Sequence, residues 1–99
     1  MKKKKQNPQS RNTNKGIDAA IETVNLAADN EGISRDVVNV VREPHAIIIE
    51  LRNKFKLGVY DDGWIDIKTE KCELGYHETY FLYTLLQNLN SFVKDLFIN

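Results

Sequence analysis

The sequence predicts an α+β fold, in which helices cover one face of an antiparallel sheet. Apolar side chains recur every three or four positions over residues 77–97 and over 16–29, which is the spacing of a buried helix face. Between these helices, residues 46–68 alternate apolar and polar side chains and contain turn signals, as antiparallel strands do. A chain of 99 residues accommodates one such domain, predicted over residues 16–99.

The first helix is predicted over residues 16–29. Its apolar positions share one side of a helix, and they are Ile17, Ala20, Ile21, Val24, Ala27 and Ala28. The small alanines favour close contact with a neighbouring helix or with the sheet. Gly32 is expected to end this region, because glycine readily adopts the left-handed conformation found at helix ends.

Residues 34–42 carry conflicting signals. Ser34 is a favourable helix N-cap, and Ile33 before it is in register to pack on Val38. The valines in this segment instead favour a strand, because branched side chains are stiff in helices. Since the cap and the apolar contact agree in register, a short helix is preferred here over a strand. Pro44 is expected to end either element.

Residues 46–68 are predicted to form a meander of three antiparallel strands. Asn53 and Lys54 connect the first two strands, and Asp61-Asp62-Gly63 forms the second hairpin, because Asp-Gly tolerates the positive φ angles of tight turns. Every second side chain is expected to face the core. This predicted inner face consists of Ile47, Ile49, Leu51, Phe55, Leu57, Val59, Ile65 and Ile67.

The long helix predicted over residues 77–97 is the natural cover of that inner face. Its apolar arc spans about 160° of the helix circumference, which is wider than a lone surface helix needs. The helix therefore requires a second neighbour besides the sheet. Helix 16–29 fills that place if the domain is closed and monomeric. If it packs elsewhere, a second copy is expected to contact a dimer face formed by Phe81, Leu85, Phe92 and Leu96.

Charge is distributed unevenly along the chain. Residues 1–15 hold six of the fourteen basic side chains and none of the fourteen acidic ones, so the remainder carries a net charge of −6. These residues are predicted to form a disordered basic arm, because they have almost no apolar side chains to bury. No apolar segment follows the lysines, so neither a signal peptide nor a membrane span is expected. The lone Cys72 favours a reducing cytoplasm.

Residues 28–41 resemble a helix-turn-helix. Ala28 would end the first helix, Gly32 would allow the sharp turn, and Val38 and Val41 would be the apolar positions of the second helix. The aliphatic residue expected just before the glycine is replaced by a glutamate. The resemblance implies DNA contacts from Arg35, Asn39 and Arg42. An ordinary helical hairpin with a glycine turn explains the same spacing. Separately, the charge of the basic arm suits contacts with phosphates, although a solvated, disordered terminus explains the same residues, which are Lys2, Lys3, Lys4, Lys5, Arg11 and Lys15.

The sequence offers few candidates for catalysis or metal binding. They are His45, Cys72, His77 and Glu78, and the acidic residues Asp61, Asp62 and Asp66. No nucleophile motif surrounds the cysteine, and a glutamate in the first turn of a helix is explained by the helix dipole. A hairpin turn explains the first two aspartates without a metal. We therefore expect no enzyme, no metal site and no cofactor.

Aromatic side chains give the strongest indication of a contact surface. They are Tyr60, Trp64, Tyr76, Tyr80 and Tyr83, of which Tyr60, Trp64, Tyr80 and Tyr83 form the predicted interaction surface. Tyr60 and Trp64 flank the second hairpin on the sheet face opposite the core, where exposed aromatics often mark a contact. The alternative is that helix 16–29 or segment 34–42 packs over them.

The function expected from these observations is that of a small, non-enzymatic interaction or regulatory protein. It would act by binding another protein in the cytoplasm, with a homodimer as the expected assembly. The alternative is a small DNA-binding protein that uses segment 28–41 and the basic arm. Its order of elements is similar to that of winged-helix regulators, with a β-hairpin as the wing, but the acidic body opposes DNA binding.

Overall fold

A computed structural model describes residues 8–70 and 73–96, with the side chains of the first helix described from residue 17 onward. The elements in chain order are helix α1 (Pro8–Asn30), a 3-10 turn (Arg35–Val37), strands β1 (Val38–Glu43), β2 (Ala46–Leu51), β3 (Phe55–Tyr60) and β4 (Ile65–Thr69), and helices α2 (Tyr76–Gln87) and α3 (Leu89–Leu96). Helices together with an antiparallel sheet confirm the predicted α+β class. Among the described helices, none is both long and apolar enough to cross a membrane.

The sheet is an antiparallel meander in the order β1-β2-β3-β4. Its register aligns Val40, Ile49, Leu57 and Ile67 in one row that crosses all four strands. Directly paired residues point to the same side of an antiparallel sheet. We call the side that bears this row the helix face, and the opposite side the open face.

The described helices lie against the helix face. Helix α1 packs on β1, and α3 packs on β2 and β3. The core joins the helices to the sheet through Ala20, Val24, Ala27, Ala28, Ile47, Ile49, Leu51, Phe55, Leu57, Val59, Phe81, Leu85, Phe92 and Leu96. Since α1 also packs on α2 and α3, the predicted alanine side of the first helix supplies the second neighbour that the C-terminal region needs.

Strand β4 extends beyond the helices. By register, Ile65 and Ile67 lie on the helix face, as predicted for the inner face of the meander. They are nevertheless 39% and 44% exposed, because α3 covers only β2 and β3. All five residues of β4 are exposed. The predicted placement of these two isoleucines in the core is therefore wrong, although their predicted face is right.

The preferred helix over residues 34–42 is also wrong. The predicted cap does form, since the Ser34 side chain accepts a hydrogen bond from the Asp36 N–H at 3.2 Å, but it starts only the 3-10 turn. Strand β1 follows and pairs with β2 from Val38↔Leu51 to Glu43↔Ala46. Branched valines pack well on a pleated sheet, and pairing with β2 outweighs the local cap. The sheet therefore has four strands instead of the predicted three.

The first helix begins at Pro8, earlier than the predicted start at residue 16. Proline suits the first turn of a helix, because its missing N–H would have no partner there. Residues 8–15 of the predicted disordered arm thus have helical backbone, and residues 1–7 lie outside the described residues. Helix α1 ends at Asn30. Just beyond it, Gly32 adopts φ 70° and the Ile33 N–H donates to the Ala28 carbonyl at 2.9 Å, so the predicted role of Gly32 at the helix end is confirmed.

The long helix predicted over residues 77–97 is two helices, α2 and α3, separated at Asn88. The Asn88 side chain donates to the Thr84 carbonyl at 2.8 Å, and its backbone leaves the helical conformation at φ −105° and ψ 16°. Asparagine competes with the backbone for such bonds and so favours helix ends. The predicted Phe97 terminus lies outside the described residues.

Candidate interaction surface

The start of α2 is held in place by charged side chains from two other parts of the fold. The Glu78 carboxylate accepts the Gly75 N–H at 2.6 Å and lies 3.6 Å from the Lys54 ammonium in the β2–β3 turn. His77 Nδ1 lies 3.1 Å from a carboxylate oxygen of Glu31, just after α1. These contacts connect the start of α2 to the end of α1 and to the β2–β3 turn.

The inward side of α2 carries Phe81 and Leu85, which are completely buried. The Phe81 ring lies 5.9 Å from the ring of Phe55 on β3. Phe92 and Leu96 of α3 belong to the same core. All four residues of the predicted dimer face are therefore inside one chain, and this correction removes them as a surface for a second copy. The wide apolar arc is shared by the sheet and α1.

The outward side of α2 carries Tyr76, Tyr80 and Tyr83, which we call the tyrosine stripe. Their exposed fractions are 69%, 44% and 54%. The spacing of four and three places them on one side of the helix, away from Phe81. Their rings touch in sequence, with centroids 4.8 Å apart for Tyr76 and Tyr80 and 6.3 Å apart for Tyr80 and Tyr83. The stripe is thus one continuous aromatic surface.

The tyrosine hydroxyls also interact. The negative charge that Tyr80 would carry, followed by its hydrogen bond to Tyr76 and by smaller contributions from burial and Glu31, raises the pKa of Tyr76 above its ordinary value of 10.0. Tyr76 is therefore neutral at physiological pH. Thr79 lies beside the last two tyrosines, and Thr79, Tyr80 and Tyr83 line a surface concavity. The stripe therefore offers hydroxyl groups at the margin of an apolar surface.

The structure divides the predicted aromatic surface into two parts. Tyr60 is paired with Ala46 and points to the open face, where its ring lies beside Gly58. Trp64 is exposed at the β3–β4 hairpin. Tyr80 and Tyr83 belong instead to α2, on the other side of the sheet. The predicted surface omitted Tyr76, although the spacing of residues 76, 80 and 83 was a signal that could have included it.

The residues predicted to contact nucleic acid do not form one surface. Arg35 is held by Asp29 at 2.6 Å, and the hydrogen bond from Arg35 lowers the pKa of that carboxyl. Asn39 lies on the open face of β1, whereas Arg42 is paired with Ile47 on the helix face and is half-buried. A strand occupies the place of the recognition helix, so the helix-turn-helix resemblance is wrong.

The basic arm adds no described contacts to this group. Arg11 and Lys15 have helical backbone in α1, but their side chains are not among those described. Lys2, Lys3, Lys4 and Lys5 lie outside the described residues. Their predicted contacts with nucleic acid stay a prediction.

The acidic hairpin acts as a turn, as the sequence indicated. The Asp62 carboxylate accepts the Trp64 N–H at 3.0 Å, and Gly63 has φ 93°. Asp61 lies 2.9 Å from His45 Nδ1 in the neighbouring turn. Within residues 8–70 and 73–96, no group of three His, Cys, Asp or Glu side chains is arranged to hold a metal. Cys72 lies outside these ranges.

Several titratable groups meet in the cleft beside the start of α2. Its lining includes Glu31, Lys54, His77 and Glu78. Each of these groups contacts another one, as His77 with Glu31 and Glu78 with Lys54. Their contacts connect three elements, so the structure gives each of them a structural role.

Comparisons with protein-family models, with curated proteins and with solved structures give no match for this chain. The candidate surface is therefore defined by its geometry alone.

Proposed function

We propose that this chain is a non-enzymatic binding protein that contacts another protein through the tyrosine stripe on α2. The observation that carries the proposal is the exposure of Tyr76, Tyr80 and Tyr83 as one contiguous surface, on the side of α2 opposite the buried Phe81. A helix that only covered a core would be expected to present charged or small polar side chains to water.

Tyrosine is well suited to such a contact. It is enriched among the residues that dominate binding energy, because it buries a large ring yet has few rotatable bonds to immobilise. In the stripe, the contacts between neighbouring rings restrict the side chains further. Less ordering is then needed on binding, which favours affinity. The expected partner surface is apolar at its centre, with hydrogen-bonding groups for the hydroxyls at its margin.

The arrangement of the charged groups supports a non-enzymatic role. In the cleft beside α2, His77 and Glu78 are engaged with Glu31 and Lys54. These contacts bridge α1, the β2–β3 turn and α2, and so hold the stripe in its orientation. A cytoplasmic location, which the single cysteine favours, remains part of this proposal.

Partner capture from an extract of the source cells tests the proposal. Tyr80→Gln combined with Tyr83→Gln removes two rings while keeping a good helix former at both positions. The matched control is Leu26→Gln, which changes another exposed apolar side chain on a helix. Circular dichroism verifies that all three proteins are folded.

We expect the wild-type protein and the Leu26 variant to capture the same partner, and the double tyrosine variant to lose it. Capture of the same proteins at the same yield by all three folded proteins would contradict the proposal. The basic arm is tested separately, by measuring binding to duplex DNA at low salt with and without residues 1–15.

A further inference from the structure

Strand β4 forms one edge of the sheet, and the backbone of Ile65 and Ile67 is arranged for further pairing. The Tyr60 N–H donates to the Trp64 carbonyl, and the Glu70 N–H donates to the Lys54 carbonyl, each at 3.0 Å. Bonds in an antiparallel pair recur at every second residue, so Asp66 and Lys68 direct their backbone groups toward β3. The backbone groups of Ile65 and Ile67 therefore point away from β3. Among the described residues, no strand lies on that side.

The sequence of β4 is complementary to itself. We propose that β4 pairs antiparallel with β4 of a second copy of this chain, about a two-fold axis at Ile67. This register aligns the whole strand, with Ile67 opposite Ile67 of the other copy. It also places Asp66 opposite Lys68 of the other copy, and the symmetry repeats that pair. Such an interface uses the same patch on both subunits, as most homodimers do.

Charge selects this register over its neighbours. An axis moved one residue to Asp66 would place two aspartates opposite each other, and an axis at Lys68 would do the same with two lysines. Opposite charges stabilise directly paired positions on a sheet, and like charges destabilise them. Registers shifted further leave part of β4 unpaired. Edge strands often carry charges that prevent pairing, but on β4 these charges attract in the central register.

The apolar side chains of β4 fit the same arrangement. The row of Val40, Ile49, Leu57 and Ile67 ends at the exposed Ile67. In the proposed pair, this row continues into the same row of the second copy. Ile67 of each copy would then be flanked by apolar side chains on both sides. The other edge strand, β1, has α1 packed against it, and its residues on the helix face are half-buried.

Charge reversal tests the interface. The wild-type protein is expected to show twice the mass of one chain in sedimentation equilibrium at high concentration. Asp66→Lys creates two facing lysine pairs, and Lys68→Asp creates two facing aspartate pairs, so each variant should raise the dimer dissociation constant by about tenfold or more. Both side chains are exposed on the open face, and circular dichroism verifies that the fold is kept.

Restoration of attraction is the decisive part of the test. An equal mixture of the two variants brings opposite charges together again, and so does a single protein that carries both changes. Both are expected to dimerise like the wild type. Amide hydrogen exchange adds a local readout, because the Ile67 N–H should be protected in the dimer and unprotected in either variant alone.

A wild-type protein that stays monomeric at millimolar concentration would overturn the proposal. So would a dimer that neither variant weakens, or weakened variants that the mixture fails to restore. The interface is separate from the tyrosine stripe. A wild-type protein that captures its partner but stays monomeric contradicts only the β4 pairing. A wild-type protein that dimerises through β4 but captures its partner independently of the tyrosine stripe contradicts only the proposed function.

Discussion

Phe81→Ala tests whether the interior of α2 belongs to a single-chain core. Phe81 is completely buried and its ring lies 5.9 Å from that of Phe55. Truncation of a buried phenylalanine removes its apolar contacts and leaves a cavity, which costs about 3–5 kcal/mol. A domain of this size has a total unfolding free energy of roughly 5–15 kcal/mol. The variant should therefore lose a large part of its stability, and its melting temperature should fall by about 12 °C or more.

The assay is urea unfolding followed by far-ultraviolet circular dichroism. The emission of Trp64 is a poor probe, because this side chain is already exposed in the folded protein. Tyr83→Ala is the matched control on the outward side of the same helix, and it should cost less than about 1 kcal/mol. Similar losses for the two variants would refute the assignment of the inward and outward sides. A Phe81 effect that disappears at high protein concentration would indicate an intermolecular face instead.

Three further predictions concern the helix ends. Gly32→Ala should lower the unfolding free energy, measured by urea denaturation, by about 1 kcal/mol. Gly32 has φ 70° and the added methyl group meets nothing within 4 Å, so the cost is backbone strain alone. An unchanged unfolding free energy would contradict this explanation. Burial raises the pKa of Asp95, because it disfavours the ionised carboxylate in the folded protein. The folded state is therefore more stable at low pH, and this stability is lost as the pH rises through the raised pKa. Asp95→Asn should therefore raise stability at neutral pH by about 0.3–1 kcal/mol, since it also removes a negative charge near the end of α3, and a decrease would count against this explanation. The hydrogen bond from Arg35 lowers the pKa of Asp29, so the stability that this pair contributes is present above pH 3.8 and is lost as the pH falls through the lowered pKa. In Arg35→Gln, a nuclear magnetic resonance titration should show a higher pKa for Asp29 than in the wild-type protein. An unchanged pKa would contradict the pairing.

The meander was the most predictable part of the fold. Alternation in Ile47, Ile49 and Leu51 identified the core side of β2, and Asp-Gly identified the β3–β4 hairpin. Both signals are local, because a strand repeats every two residues and a tight turn has its own residue preferences. The turn between β2 and β3 has three residues, 52–54, instead of the two expected at Asn53 and Lys54, and it places Leu51 opposite Phe55.

The elements that were mispredicted depend on contacts that are distant in sequence. Ser34 gives a real cap, but β1 forms because its valines pair with β2. Ile65 and Ile67 are exposed because α3 packs on β2 and β3 and leaves β4 uncovered. The alternation of apolar and polar residues predicts which face a side chain lies on, but it does not predict whether a helix covers that part of the face. A wide apolar arc on a helix is expected whether a second helix or a second chain packs against it. The predicted dimer face arose from this ambiguity.

The candidate site was predictable only in part. Tyr80 and Tyr83 were predicted as contact residues, and the structure exposes both on the side of α2 opposite the buried Phe81. Their separation from Tyr60 and Trp64 was implied by the sequence, because strand alternation places Tyr60 on the sheet face opposite the one that the helices cover. The polar contacts at the start of α2, such as that of His77 with Glu31, join residues far apart in the chain.

Site-specific photocrosslinking in living cells tests the central claim most directly. A photoreactive phenylalanine analogue replaces Tyr83 in one variant and Leu26 in another, and the two positions are both exposed on helices. Binding through the tyrosine stripe predicts a discrete crosslinked product from position 83 and none of the same mass from position 26. The absence of a discrete product at position 83, or identical products at both positions, would contradict the claim.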